Sequence, residues 1–173
     1  HRAASAVKVG EKRRREHPGY NGKEEFNFFL SVLFPESELK ILDYNRIVKD
    51  LNGMTEEEFL VKMQELFDVS ELNETDKHPQ EKGTFSMYLK GQWYTCKIRP
   101  EDLNSDPVKG LDVSLLQDLL LQPVLGITDP KTDPRIDFVG GIRGTKELEK
   151  RCREDAKVAF AMYPTSIGEL FSV

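Results

Sequence analysis

The stretch Ile136-Asp137-Phe138-Val139-Gly140-Gly141-Ile142-Arg143-Gly144-Thr145 sets glycines and one arginine where a short apolar run meets a helix pattern. Glycine lets backbone approach a phosphate, and the free N–H groups of a helix start point at it. Arg143 adds a planar fork that is always charged. Gly140, Gly141, Arg143 and Gly144 therefore form a candidate seat for a phosphate or carboxylate. The same pattern also fits a plain strand-to-helix turn with glycine at demanding positions.

A second group lies at Asp43, Asn45 and Arg46. Arg46 can clamp an anion with two parallel hydrogen bonds. Asp43 can serve as a base or a metal ligand. The competing reading is a structural ion pair in which Asn45 caps a turn. Thr165 and Ser166 follow Pro164 at a strand end, where hydroxyls either cap the next helix or donate to a phosphate. Tyr88, Trp93 and Tyr94 offer a stacking face, for which cross-strand packing is the commoner use. Cys96 and Cys152 sit in no CxxC, and neither has a histidine in its motif. The three histidines show no metal-ligand spacing, so no metal site is assigned.

These residues need elements to hold them. Residues 1–15 read as a helix ending in the basic run Lys12 to Arg15, favourable against the helix dipole. Phe26 to Phe34 is nearly all apolar and reads as a strand at the centre of a sheet. Ile41 to Val48 reads as a strand turning into a helix or loop, and Phe67 to Leu72 as a short strand. Thr55-Glu56-Glu57-Glu58 is a capping box, with Phe59, Leu60, Met63, Leu66 and Phe67 at helical spacing behind it. Phe85 to Leu89 and Trp93 to Ile98 form a hairpin turned at Gly91. Asp112 is the expected N-cap of a helix stopped by Pro123. A strand, the Gly-rich turn, a helix, the strand Lys157 to Tyr163 and a last short helix complete the chain. Helices and strands do not alternate strictly. The expected fold is one α+β domain over 1–173 with a mixed sheet, a hairpin and packed helices.

Composition narrows the function. The 173 residues carry a net charge of −5 and 32% charged side chains. Residues 1–15 carry +5, so the remainder is near −10. That balance argues against coating nucleic acid, while leaving room for a small basic site. No apolar run approaches the ~20 residues that span a bilayer. The cysteine usage points to a reducing, cytoplasmic setting. The opening at His1 and the close at Val173 suggest a piece of a longer protein.

Five motifs in order carry a resemblance: His1-Arg2-Ala3-Ala4, Asp43 to Leu51, Leu111 to Leu116, Phe138 to Gly144, and Ala159 to Ser166. The chain resembles the bacterial and archaeal family called domain of unknown function 1015. There the His-Arg pair ends a Gly-His-His-Arg-type motif, often called ParB-like. The resemblance implies a fold ParB- or sulfiredoxin-like in part. It implies phosphate-side roles for His1 and Arg2. Read from the residue itself, His1 offers a general acid or base near working pH; the competing reading is an N-terminal cap or a frayed first residue. In ParB and sulfiredoxin relatives the corresponding helix start binds nucleotide phosphates, and the wider group includes a free-serine kinase. The expected function is nucleotide or phosphate binding with phosphoryl transfer to a small metabolite, His1 and Asp43 being catalytic. The implied cofactor is a nucleotide with Mg²⁺. The alternative is a non-catalytic ligand-sensing or protein-interaction module. A DNA-binding regulator is the weakest reading.

Overall fold

Alternating apolar residues between Tyr44 and Met162 become a six-stranded sheet, because each strand can bury one or both faces only against other elements. The computed structural model describes residues 2–73 and 75–172. The strands are β1 (Tyr44–Val48), β2 (Phe67–Glu71), β3 (Thr84–Leu89), β4 (Gln92–Ile98), β5 (Ile136–Gly140) and β6 (Val158–Met162). Their order is β2-β4-β3-β6-β1-β5. Every neighbouring pair is antiparallel, so the fold is α+β as expected but the sheet is not mixed. Lys90 and Gly91 both take positive φ, 50° and 83°, giving the hairpin a turn that matches strand twist.

One sheet face carries Val48, Phe85, Met87, Leu89, Phe160 and Met162, all buried. It packs on α2 (Glu56–Leu66) through Phe59 and Met63. It also meets α3 (Asp112–Leu116) and the wider helical turn Gln117–Leu121 through Leu115, Leu116, Leu120 and Leu121. The opposite face carries Ile47, Tyr88, Trp93, Val139, Ala159 and Ala161 beneath Leu148 of α4 (Gly144–Glu154). A short helix, α5 (Ile167–Ser172), follows β6. The capping box forms in full: Glu58 N donates to Thr55 Oγ1, and Thr55 N donates to Glu58 Oε2. Asp112 is the first residue of α3 rather than its N-cap, which is Leu111. Asp112 is 6% exposed, and its Oδ2 accepts a bond from Gly83 N at 2.9 Å.

The chain forms two compact units, His1–Leu39 and Lys40–Val173. The sheet lies in the second. In the first, α1 (Arg2–Glu16) ends in Arg13, Arg14 and Arg15, and Arg14 Nη1 donates to Asn27 Oδ1 at 2.9 Å. Gly10 is buried where a Cβ would press on the Phe26 carbonyl.

The expected central strand over Phe26 to Phe34 does not form. Glu25–Asn27 is a single tight turn, residues 28–35 pair with no strand, and Leu30 and Leu33 are each 91% exposed. A run of apolar residues states a need for cover, but a place in a sheet also needs partners with free edges. Here the sheet centre is filled by β3, β6 and β1.

Candidate functional site

Antiparallel pairing sets the start of β1 beside the ends of β5 and β6. The β1–β6 ladder ends at Arg46 opposite Phe160. Beyond it, the amide of Met162 donates to the side-chain oxygen of Asn45 at 2.9 Å instead of to a carbonyl. Asn45 is fully buried, so both ends of its amide need partners. Its Nδ2 supplies the second bond, donating to Asp43 Oδ2 at 2.5 Å. On the other side the amide of Gly141 donates to the Asp43 carbonyl at 2.8 Å. The Asp43 carboxylate fills the space that a Cβ on residue 141 would take. Asn45 thus holds the carboxylate, while Gly141 holds the backbone of Asp43 and leaves the carboxylate room.

Where these strands end, a cavity of about 390 Å³ opens. Lys40, Asp43, Asp76, His78, Gln80 and Tyr163 bring polar groups to it. Asp76 organises its loop by accepting from His78 N at 3.0 Å and from Gln80 Nε2 at 3.3 Å. A cavity of this size suits a small metabolite. A fixed carboxylate accepts from a ligand hydroxyl or takes its proton, while an ammonium and an imidazole favour an anionic group.

Arg46 lies outside this cavity. Adjacent strand residues point to opposite faces, so Asn45 and Arg46 do not converge. Arg46 shares its face with Val48, and its guanidinium stands 5.6 Å from the Phe138 ring centre. Arg46 is 9% exposed, and its Nη1 donates to the Tyr44 carbonyl. Among the described residues no carboxylate lies within the 4.0 Å of an ion pair. Burial without a counter-ion pulls its pKa down to about 10. A cation–π contact contributes about 0.5–2 kcal/mol. Withdrawing a charge from water costs several kcal/mol, so Arg46 remains undercompensated.

The other expected site residues separate. Gly140 has ordinary extended backbone, with open space where its Cβ would be, so glycine is not required there. Gly144 does need glycine, with φ at 68°. Arg143 points to solvent, its side chain 65% exposed and 4.0 Å from Glu147. Ser166 spends its hydroxyl on the start of α5, accepting from Glu169 N at 3.1 Å and donating to Glu169 Oε2 at 2.9 Å. Thr165 is half-buried beside it. Arg2 opens α1 and is exposed in the first unit, and His1 lies outside the described residues. Trp93 is buried and donates its Nε1 to Glu149 at 2.9 Å, so this part of the aromatic group is packing. Burial pushes the Cys152 thiol up to about 12 and that of Cys96 higher still, so both stay protonated. Among the described residues no cluster of three or more His, Cys, Asp or Glu could hold a metal, and no helix is long and apolar enough to cross a membrane.

Sequence reading missed Lys40, Asp76, His78 and Tyr163. Tyr163 adjoins a motif already in view, but His78 stands in a polar loop whose return to the sheet end only the tertiary fold reveals.

The architecture defines an antiparallel α+β domain with a polar cavity at the end of its sheet. A family model described as protein of unknown function, DUF1015, matches residues 1–114, well over half of the chain, and the chain belongs to that family. The chain has no significant match among the curated proteins or the solved structures.

Proposed function

We propose that this protein binds a small metabolite carrying a hydroxyl and an anionic group in the sheet-end cavity. The observation that carries the reading is Asp43, a carboxylate positioned by buried Asn45 and by the missing Cβ of Gly141. Lys40 and His78 hold the anionic group. The reaction class is phosphoryl transfer from a nucleotide. The metabolite hydroxyl attacks the terminal phosphorus, Asp43 takes its proton, and the nucleotide leaves one phosphate shorter. Asp43 and Asp76 would hold a nucleotide-bound Mg²⁺, which would offset the charge of the phosphates. The ParB-like kinship belongs to this same proposal.

A thermal-shift panel of hydroxylated and phosphorylated metabolites, followed by an ATP-consumption assay with those that bind, tests the reading. The expected result is a ligand-dependent rise in melting temperature, with turnover lost in Asp43→Asn while the variant stays folded. No shift from any compound, or unchanged turnover in Asp43→Asn, overturns it.

One observation favours the second reading, a non-catalytic protein-interaction module. Phe28, Phe29, Leu30, Val32, Leu33 and Phe34 are each more than half exposed. Contiguous exposed apolar surface commonly marks contact sites. Sedimentation of the parent against Leu30→Glu tests it: self-association lost in the variant supports this reading, and identical monomeric profiles remove it.

A further inference from the structure

Arg46 is a charge without a partner, and the residues around it say what could partner it. Two buried side-chain polar atoms among the described residues are sealed from solvent without a hydrogen bond, Asp112 Oδ1 and Gln117 Oε1. Among the described residues, Arg46 Nε and Nη2 have no hydrogen-bond partner and are not among these sealed atoms. Tyr44 and Phe138 share the face of Arg46, by strand alternation and by the pairing of Arg46 with Phe138. Their rings stack, with centres 5.1 Å apart and planes only 4° from parallel. Tyr44 is 55% exposed, so the stack presents a flat surface to solvent.

We propose that Tyr44, Phe138 and Arg46 form a second binding site, apart from the residues that line the sheet-end cavity, for an anion that carries a flat aromatic ring. A nucleoside monophosphate has this chemistry. Its base lies on the Tyr44–Phe138 stack and its phosphate takes the free donors of Arg46. Residues two apart on one strand face stand roughly 7 Å apart, a separation that a ribose bridges. Each part alone is weak. The ring supplies stacking that any aromatic could use, and the guanidinium supplies charge and donor geometry. None of Tyr44, Phe138 and Arg46 lines the Asp43 cavity.

The test is a metal-free titration of the full chain with adenosine monophosphate, with inorganic phosphate and adenosine as separate arms. The monophosphate is expected to bind more tightly than either arm. Arg46→Gln should weaken it about tenfold or more, as loss of a charge-assisted contact requires. Because Arg46 is buried, Tyr44→Ala gives a second test at an exposed position. It should weaken the monophosphate several-fold and leave the phosphate arm unchanged. In an Asp43→Asn background, Tyr44→Ala should still weaken the monophosphate several-fold. The proposal is overturned if Tyr44→Ala binds the monophosphate as the parent does, or if folded Arg46→Gln does so. Adenosine binding equally well, or Tyr44→Ala without effect in the Asp43→Asn background, also overturns it.

Discussion

Asp43 and Gly141 fit one another because residue 141 brings no Cβ to the space the carboxylate fills. Gly141→Ala forces a methyl into that space, with neighbouring carboxylate and backbone oxygens. It should cost about 1–3 kcal/mol, the usual range for overpacking, measured by urea denaturation. It should also weaken any ligand of the cavity, because Asp43 must move. Asp112 makes a different kind of statement. Burial raises its pKa, outweighing the Gly83 amide and Lys82 that pull it down, while Glu169 pushes it further up. An acid with a raised folded pKa is more readily ionised in the unfolded chain. Stability is therefore lost as pH rises from the ordinary carboxylate range through the folded value. Asp112→Asn removes that dependence. Urea midpoints at pH 4 and pH 7 should fall more for the parent than for the variant. Equal falls would show that Asp112 ionises freely in the folded protein. At this scale the sequence was partly readable. Asp43, Asn45 and Gly141 could be named as candidates, and they do meet. Grouping Asn45 with Arg46 ignored the twofold period of a strand, which sends neighbours to opposite faces.

Among the elements, those with a local chemical signature were legible. Thr55 and Glu58 announced their helix by spacing, and alternation with Gly91 announced the hairpin. Phe26 to Phe34 misled because hydrophobicity reports what a segment would gain from cover, not whether a partner exists. The paired strand order makes a definite exchange prediction. Amides of β6 and β1 are bonded on both sides by neighbouring strands, and their side chains at Ile47, Val48, Ala159 and Phe160 are fully buried. They should be the slowest to exchange with deuterium, opening only with global unfolding. Amides of residues 28–34 should exchange within the first time points. Comparable protection in both segments would contradict the placement of β6 and β1 at the sheet centre and of residues 28–34 outside it.

For the whole molecule, the second unit holds both faces of the sheet and the helices that cover them. Residues 40–173 should therefore fold when expressed alone, with one cooperative thermal transition and native-like circular dichroism. A broad, non-cooperative melt would show that the first unit is needed. The cavity was not visible in the sequence for a related reason. Lys40, His78 and Tyr163 are far apart along the chain, and only the sheet order brings their segments to one end. That order has a consequence for how the protein is made. β6 is the last of these six strands to be synthesised, yet it stands between β3 and β1. Until it emerges, the nascent chain can assemble only two half-sheets, β2-β4-β3 and β1-β5, each with a bare inner edge. Bare edges invite foreign strands, and distant pairings form slowly. Ribosome-bound chains stalled before Val158 should therefore be avid clients for chaperones that shield unpaired strands, and release from them should coincide with the arrival of Met162.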